Sequence, residues 1–170
     1  MTPKLRIGLG AFLASLILDQ VSKFLISSQL HYGAKREVIE GFFYLTHVRN
    51  PGAAFGLFAT APEAFRLSFF IGVALVAIGI LLSFFVKLAP GDRLSALALG
   101  FILGGAIGNL IDRVVHGEVV DFLHFRLWQN YAWPDFNFAD SFIVIGVGLL
   151  VLELLATEGE ERAPKEKQVP

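Results

Sequence analysis

Four apolar stretches divide the chain: about Ile7–Ile26, Leu67–Val86, Leu94–Val115 and Ala139–Ala156. A membrane-crossing helix needs about 20 apolar residues at roughly 1.5 Å rise each. The second stretch, "LSFFIGVALVAIGILLSFFV", meets that length without a single charge. The fourth is the shortest and carries Glu153 near its far end. The first follows Lys4 and Arg6 as a signal peptide would, but Asp19 and Lys23 interrupt it and no small-residue cleavage site follows. It reads as a retained helix. The pattern predicts a mainly α protein, a four-helix transmembrane bundle.

The connections are unequal. Residues 87–93, "KLAPGDR", form a tight turn. Residues 27–66 make a long connection in which Phe42, Phe43, Tyr44, Leu45, Thr46 and Val48 favour strand and Asn50-Pro51-Gly52 signals a turn. A small extramembrane β element is expected there, between helices 1 and 2. Residues 116–138 form the second long connection. Residues 157–170 are polar and charged and are expected to be disordered. The whole of 1–170 reads as one integral-membrane domain.

Composition supports lipid as the destination of this apolar surface. The 170 residues are 55% hydrophobic and 17% charged, where a soluble domain carries roughly 25% charged residues. Mean hydropathy is +0.63. A net charge of −1 leaves no basic footprint for a nucleic acid. The absence of cysteine removes disulfide and thiol chemistry.

With four spans, both long connections share one face of the membrane and both termini share the other. Lys4 and Arg6 ahead of the first span predict cytoplasmic termini and outward-facing loops. The polar residues inside the spans then converge. Asp19 and Lys23 end span one, Asn109, Asp112 and Arg113 end span three, and Asn137 and Asp140 begin span four, all at the loop face. An ionisable side chain in the bilayer costs about 2.5–3.5 kcal/mol on insertion scales. Several at one depth point to a polar cavity with a function.

Its chemistry narrows by elimination. Histidines 31, 47, 116 and 124 show no metal-ligand spacing. Ser22 and Lys23 are adjacent on a helix and point about 100° apart, so they cannot act on one another. Asp19 and Lys23, four residues apart, can pair on one helical face. "GFILGGAIGNL" lies within span three and reads as helix-packing surface rather than a phosphate loop. Asp121 and Asp140 remain. If the second loop folds back, they can share a proton, one carboxylate activating water while the other supports the carbonyl and leaving amine. Equally, Asp140 can be the N-cap of span four and Asp121 a solvated loop residue. Asp135, after Pro134 in the loop, is expected to be dispensable.

The segments "DQVSK" (19–23), "RNPGAAF" (49–55), "GGAIGNLIDR" (104–113), "VVDF" (119–122) and "FNFADS" (136–141), in this order across all four spans and both loops, resemble the lipoprotein signal peptidase (signal peptidase II) family. Pro51 stands where the family pattern is open. The resemblance implies an aspartic endopeptidase of the bacterial inner membrane that removes the signal peptide from diacylglyceryl-modified prolipoproteins, cutting before the lipid-bearing cysteine. It implies Asp121 and Asp140 as the catalytic pair. Asn50, Gly52, Asn109, Arg113 and Asn137 would line or brace the site, with Asp19 and Lys23 in support. Water would be the nucleophile, with no cofactor or metal. The partners implied are the prolipoprotein and membrane lipid, and the chain is expected to act as a monomer with its site toward the outer face. The competing class is a small transporter or channel subunit that uses the intramembrane charges as an ion path.

Overall fold

The computed structural model describes residues 1–52, 58, 60–128 and 131–162. Its elements run α1 (Pro3–Gln29), β1 (Lys35–Ile39), β2 (Phe43–Asn50), α2 (Glu63–Lys87), α3 (Arg93–His116), β3 (Val119–Trp128), β4 (Tyr131–Ala132) and α4 (Phe138–Arg162). All four helices are long and apolar enough to cross a membrane. Each contains its predicted span and extends past it, and α4 runs on to Arg162. Residues 163–170 of the expected tail lie outside the described residues.

The helix α3 is central. It carries eleven buried residues, whereas α2 carries none and presents its apolar surface outward. Small residues allow the close packing of α3. On the face toward α1, a Cβ on Gly104 would meet the Phe12 carbonyl oxygen at 2.8 Å and also the Ser15 side chain. One on Gly100 would meet Ala11 Cβ at 2.8 Å, and one on Gly108 would strike the Asp19 carboxylate. A stripe of Gly100, Gly104 and Gly108 thus lets the two backbones approach, the small-xxx-small pattern of membrane helices. Ser15, fully buried opposite the stripe, returns its hydroxyl to the Ala11 carbonyl at 2.8 Å, so no donor is stranded.

The β element between α1 and α2 is present as the β1–β2 hairpin, and it extends beyond the prediction. The ten-residue β3 of the second connection pairs antiparallel with β2, giving a four-stranded sheet in the order β1-β2-β3-β4. Val119 to Leu123 are buried in succession rather than in alternation, because the first half of β3 lies between its sheet neighbour and the bundle. There Ile26, Val120, Phe122 and Leu123 form a core joined by Phe136 and Phe138. The strand begins after Gly117, whose φ of 77° ends α3 in the left-handed conformation that glycine adopts without penalty. The sheet therefore sits on the end of the bundle where the intramembrane polar residues gather.

The helix interface gives a test. Gly104→Val should lower the detergent melting temperature substantially, since overpacking of a tight interface costs about 1–3 kcal/mol or more. A Cβ at Gly148 meets nothing within 4 Å, so Gly148→Ala should melt close to the parent chain.

Candidate active site

The first turn of α4 fixes the site. Asn137, fully buried, stands just before Phe138 and accepts at Oδ1 from the Asp140 amide at 3.0 Å. Asp140 Oδ2 in return accepts from the Asn137 amide at 3.2 Å. This is a reciprocal capping box. The N-cap of α4 is therefore Asn137, and Asp140 is the third helical residue. Asp140 also accepts from Asn109 Nδ2 at 2.8 Å through Oδ1.

Asp121 is delivered from the other side. It is 2% exposed, in the part of β3 buried without alternation, and not a solvated loop residue. Its Oδ1 accepts from Asn137 Nδ2 at 2.7 Å and its Oδ2 from Asn50 Nδ2 at 2.9 Å. Asn137 thus touches both carboxylates, through its amide group to one and its backbone to the other. Asp121 and Asp140 line a single cavity of about 650 Å³. Burial first, and the nearby charge of Asp140 second, raise the Asp121 carboxyl to about 7 against the hydrogen bonds from Asn50 and Asn137.

Asn50, Gly52, Asn109 and Arg113 line the same cavity. Asn50 Oδ1 accepts from the Gly52 amide at 3.0 Å, an Asx turn that anchors the Asn-Pro-Gly segment beside Asp121. Arg113 reaches the Gly52 carbonyl at 3.4 Å and lies over the Phe70 ring of α2, 4.9 Å from its centroid. Residues 53–55 of that sequence motif lie outside the described residues. Apart from Asp135 and Ser141, the rest of the cavity wall is apolar, with Trp133, Pro134 and Phe136 on one side and Ile143, Val144 and Ile145 of α4 on the other.

Beneath the cavity lies an ion cluster. Lys23 Nζ contacts Asp19 Oδ2 at 2.8 Å, Asp112 Oδ2 at 3.0 Å and Asn109 Oδ1 at 2.9 Å. The three protons of the ammonium meet three acceptors. Asp19 Oδ1 accepts from the Ala139 amide of α4 at 2.9 Å, and Asp112 Oδ2 from the Val120 amide of β3 at 3.0 Å. Gln20 Nε2 donates to both carboxylates and to the Gly108 carbonyl, each at 3.2 Å. Lys23 is thus committed to two carboxylates. Ser22 donates to the Asp19 carbonyl and Ser141 to the Asn137 carbonyl. Among the described residues, no serine is hydrogen-bonded to a lysine.

The sequence profile of signal peptidase (SPase) II matches residues 11–156. The chain belongs to the signal peptidase II family. It is 45% identical over 164 residues to the lipoprotein signal peptidase of Geobacter sulfurreducens, covering 96% of this chain and all of that one. It is 44% identical over 146 residues to that of Syntrophus aciditrophicus, covering 86% and 90% of the two chains. A bacterial membrane enzyme solved by the in meso method at 2.3 Å is 34% identical. It superimposes with a TM-score of 0.80, covering 96% of this chain and 94% of the other.

In this signal peptidase II, every site residue expected from the sequence converges on the cavity or on the ion cluster below it. Three features escaped. Asp112, placed at this face by the sequence but not paired with anything, completes the charge cluster through Lys23, and its spacing of three from Asn109 puts both on one face of α3. Gln20, next to Asp19, ties α1 to α3. Asp135, expected to be idle, lines the cavity and is bonded to Thr46 and His124. No local sequence signal pairs residues 89 positions apart.

Two outcomes follow for this peptidase. Lys23→Met would leave Asp19 and Asp112 buried together without their cation, so a loss of about 3–5 kcal/mol is expected, read as lowered folded yield and melting temperature. The second concerns pH. Between 3.8 and about 7 the folded Asp121 keeps a proton that the unfolded chain has released. The folded state binds more protons there, so the contribution of Asp121 to stability falls as pH rises through that window. Asp121→Asn should melt above the parent chain at pH 8, and this advantage should shrink toward pH 4.

Proposed function

We propose that this chain is an aspartic endopeptidase that removes the signal peptide from diacylglyceryl-modified prolipoproteins, cleaving before the lipid-bearing cysteine. The observation that carries this reading is two carboxylates on one cavity, tied through Asn137, with Asp121 held near pH 7 partly by the charge of Asp140. Two carboxylates on one cavity can work with a single proton between them. Burial favours the proton on Asp121.

In the reaction, Asp140 takes a proton from water and the resulting hydroxide attacks the scissile carbonyl. Asp121 donates its proton to the carbonyl oxygen. The tetrahedral intermediate collapses as the carbon–nitrogen bond breaks. The proton held by Asp140 passes to the leaving amine of the lipidated cysteine, and the gem-diol proton returns to Asp121. Atoms and charges balance, and the pair is reset without a cofactor.

The lipid of the substrate suits the cavity wall. Val144 is 70% exposed and Ile145 49% exposed on α4 while both line the cavity, so an acyl chain can reach the carboxylates along an apolar surface. We place the termini in the cytoplasm and the site at the outer face of the bacterial inner membrane. An exported prolipoprotein presents its cleavage point there. All the residues of the proposed mechanism come from one chain, which fits a monomer within a single integral-membrane domain. A transporter needs polar groups along its depth, and the absence of buried residues on α2 gives that reading no support.

Asp121→Asn and Asp140→Asn should each fold without loss of melting temperature near neutral pH yet release no signal peptide from a diacylglyceryl prolipoprotein, because an amide can neither take nor share the proton. Asp92, in the turn before α3 where it accepts from the Ala89 amide, supplies the control, and Asp92→Asn should retain full activity. Turnover of the parent chain should decline as pH rises beyond about 7, where Asp121 gives up the shared proton. Processing by either site variant at near the parent rate would refute the acid pair.

A further inference from the structure

Asp135 stands on the rim of the cavity with both carboxylate oxygens turned to the sheet. Its Oδ2 accepts from Thr46 Oγ1 of β2 at 2.7 Å. Its Oδ1 meets His124 Nδ1 of β3 at 2.5 Å. The other ring nitrogen, His124 Nε2, meets Lys35 Nζ of β1 at 2.9 Å. An ammonium has only donors, so Nε2 accepts and the ring proton sits on Nδ1, aimed at Asp135. Tyr44 backs the cluster, with Lys35 3.9 Å from its ring centroid and His124 packed edge-on at 5.7 Å. Three strands thus hold one loop carboxylate.

The position of that carboxylate gives the clamp its leverage. Asp135 is two residues before Asn137. Between them, Phe136 bonds to β3 in both directions, its amide to the Leu123 carbonyl at 3.1 Å and its carbonyl to the Leu123 amide at 2.8 Å. The Phe122 amide shares the same carbonyl at 3.0 Å. No unbonded residue separates Asp135 from Asn137, so a shift at one is passed to the other. Asn137 carries the hydrogen bond to Asp121.

We propose that Asp135 is a positioning residue for the peptidase reaction: clamped by Thr46 and His124, it fixes the Trp133–Asn137 wall and, through Asn137, the Asp121 carboxylate. The inference rests on the peptidase function described above. It assigns Asp135 no proton transfer.

The test uses the full chain in detergent with a diacylglyceryl prolipoprotein peptide, reading kcat and KM apart alongside a melt. Asp135→Ala frees the wall, and kcat should fall about tenfold to a hundredfold, the scale set by a 1 Å misplacement, with KM little changed. Asp135→Asn can keep both contacts, its amide oxygen accepting from His124 and its amide nitrogen donating to a rotated Thr46 hydroxyl. It should recover most of the lost rate. The same exchange at Asp121 or Asp140 should recover nothing, which separates positioning from chemistry. Thr46→Val should lower kcat in the same direction and remains informative if Asp135→Ala folds poorly. The double variant should be no worse than Asp135→Ala alone, because both act through one clamp. Parent-like kinetics in both Asp135→Ala and Thr46→Val, an Asp135→Asn as impaired as the alanine variant, or additive losses would overturn the proposal. Activity surviving in Asp121→Asn would instead overturn the acid pair and leave the Asp135 comparison readable.

Discussion

The first turn of a helix leaves amide groups without intrahelical partners, and at the edge of a membrane protein water is not freely available to satisfy them. In this chain the start of α4 meets that demand with one side chain from α1 and one from its own N-cap. Asp19 of α1 takes the Ala139 amide and Asn137 takes the Asp140 amide. Each of those side chains needs further partners of its own. Asp19 brings in Lys23, which brings in Asp112 and Asn109. Asn137 brings in Asp121. The site is the closed set of partners that this helix start requires, with one open side left to the cavity.

This arrangement explains why α3 is packed so closely. Asn109 must reach both α1 and α4, and Asp112 both α1 and β3, which is possible only if the helix axes approach. The glycine stripe toward α1 permits this. On the α4 side, Cβ atoms at Gly105 and Gly146 would each run into backbone of the facing helix. Packing and chemistry occupy successive turns of the same helix, Gly104 and Gly108 leading directly into Asn109 and Asp112.

Much of this could be read in the chain before folding. Hydropathy marked the spans, and their alternating direction was enough to bring Asp19, Lys23, Asn109, Arg113, Asn137 and Asp140 to one level. The i,i+4 spacing of Asp19 and Lys23 foretold their pair. What could not be read depended on contacts between distant segments. The strand β3 has no alternation to betray it, because both of its faces are covered at the start. Asp140 looked equally suited to capping α4, and only the fold shows Asn137 in that role with Asp140 reciprocating. Asp135 looked like an ordinary turn residue because its partners lie in other strands.

The sharing of Asn137 between helix cap and acid pair also limits how such an enzyme can evolve under a competitor lodged in its cavity. Changing Asn137 to weaken the intruder would remove the cap of α4 and the partner of Asp121 together. Changing Asn109 would unseat Lys23 and Asp140 together. Point substitution costs least in the apolar wall, at positions such as Ile143 or Val144, whose side chains carry no hydrogen bond of the acid pair or the helix cap. In the proposed reaction the substrate's own acyl chains use that same surface.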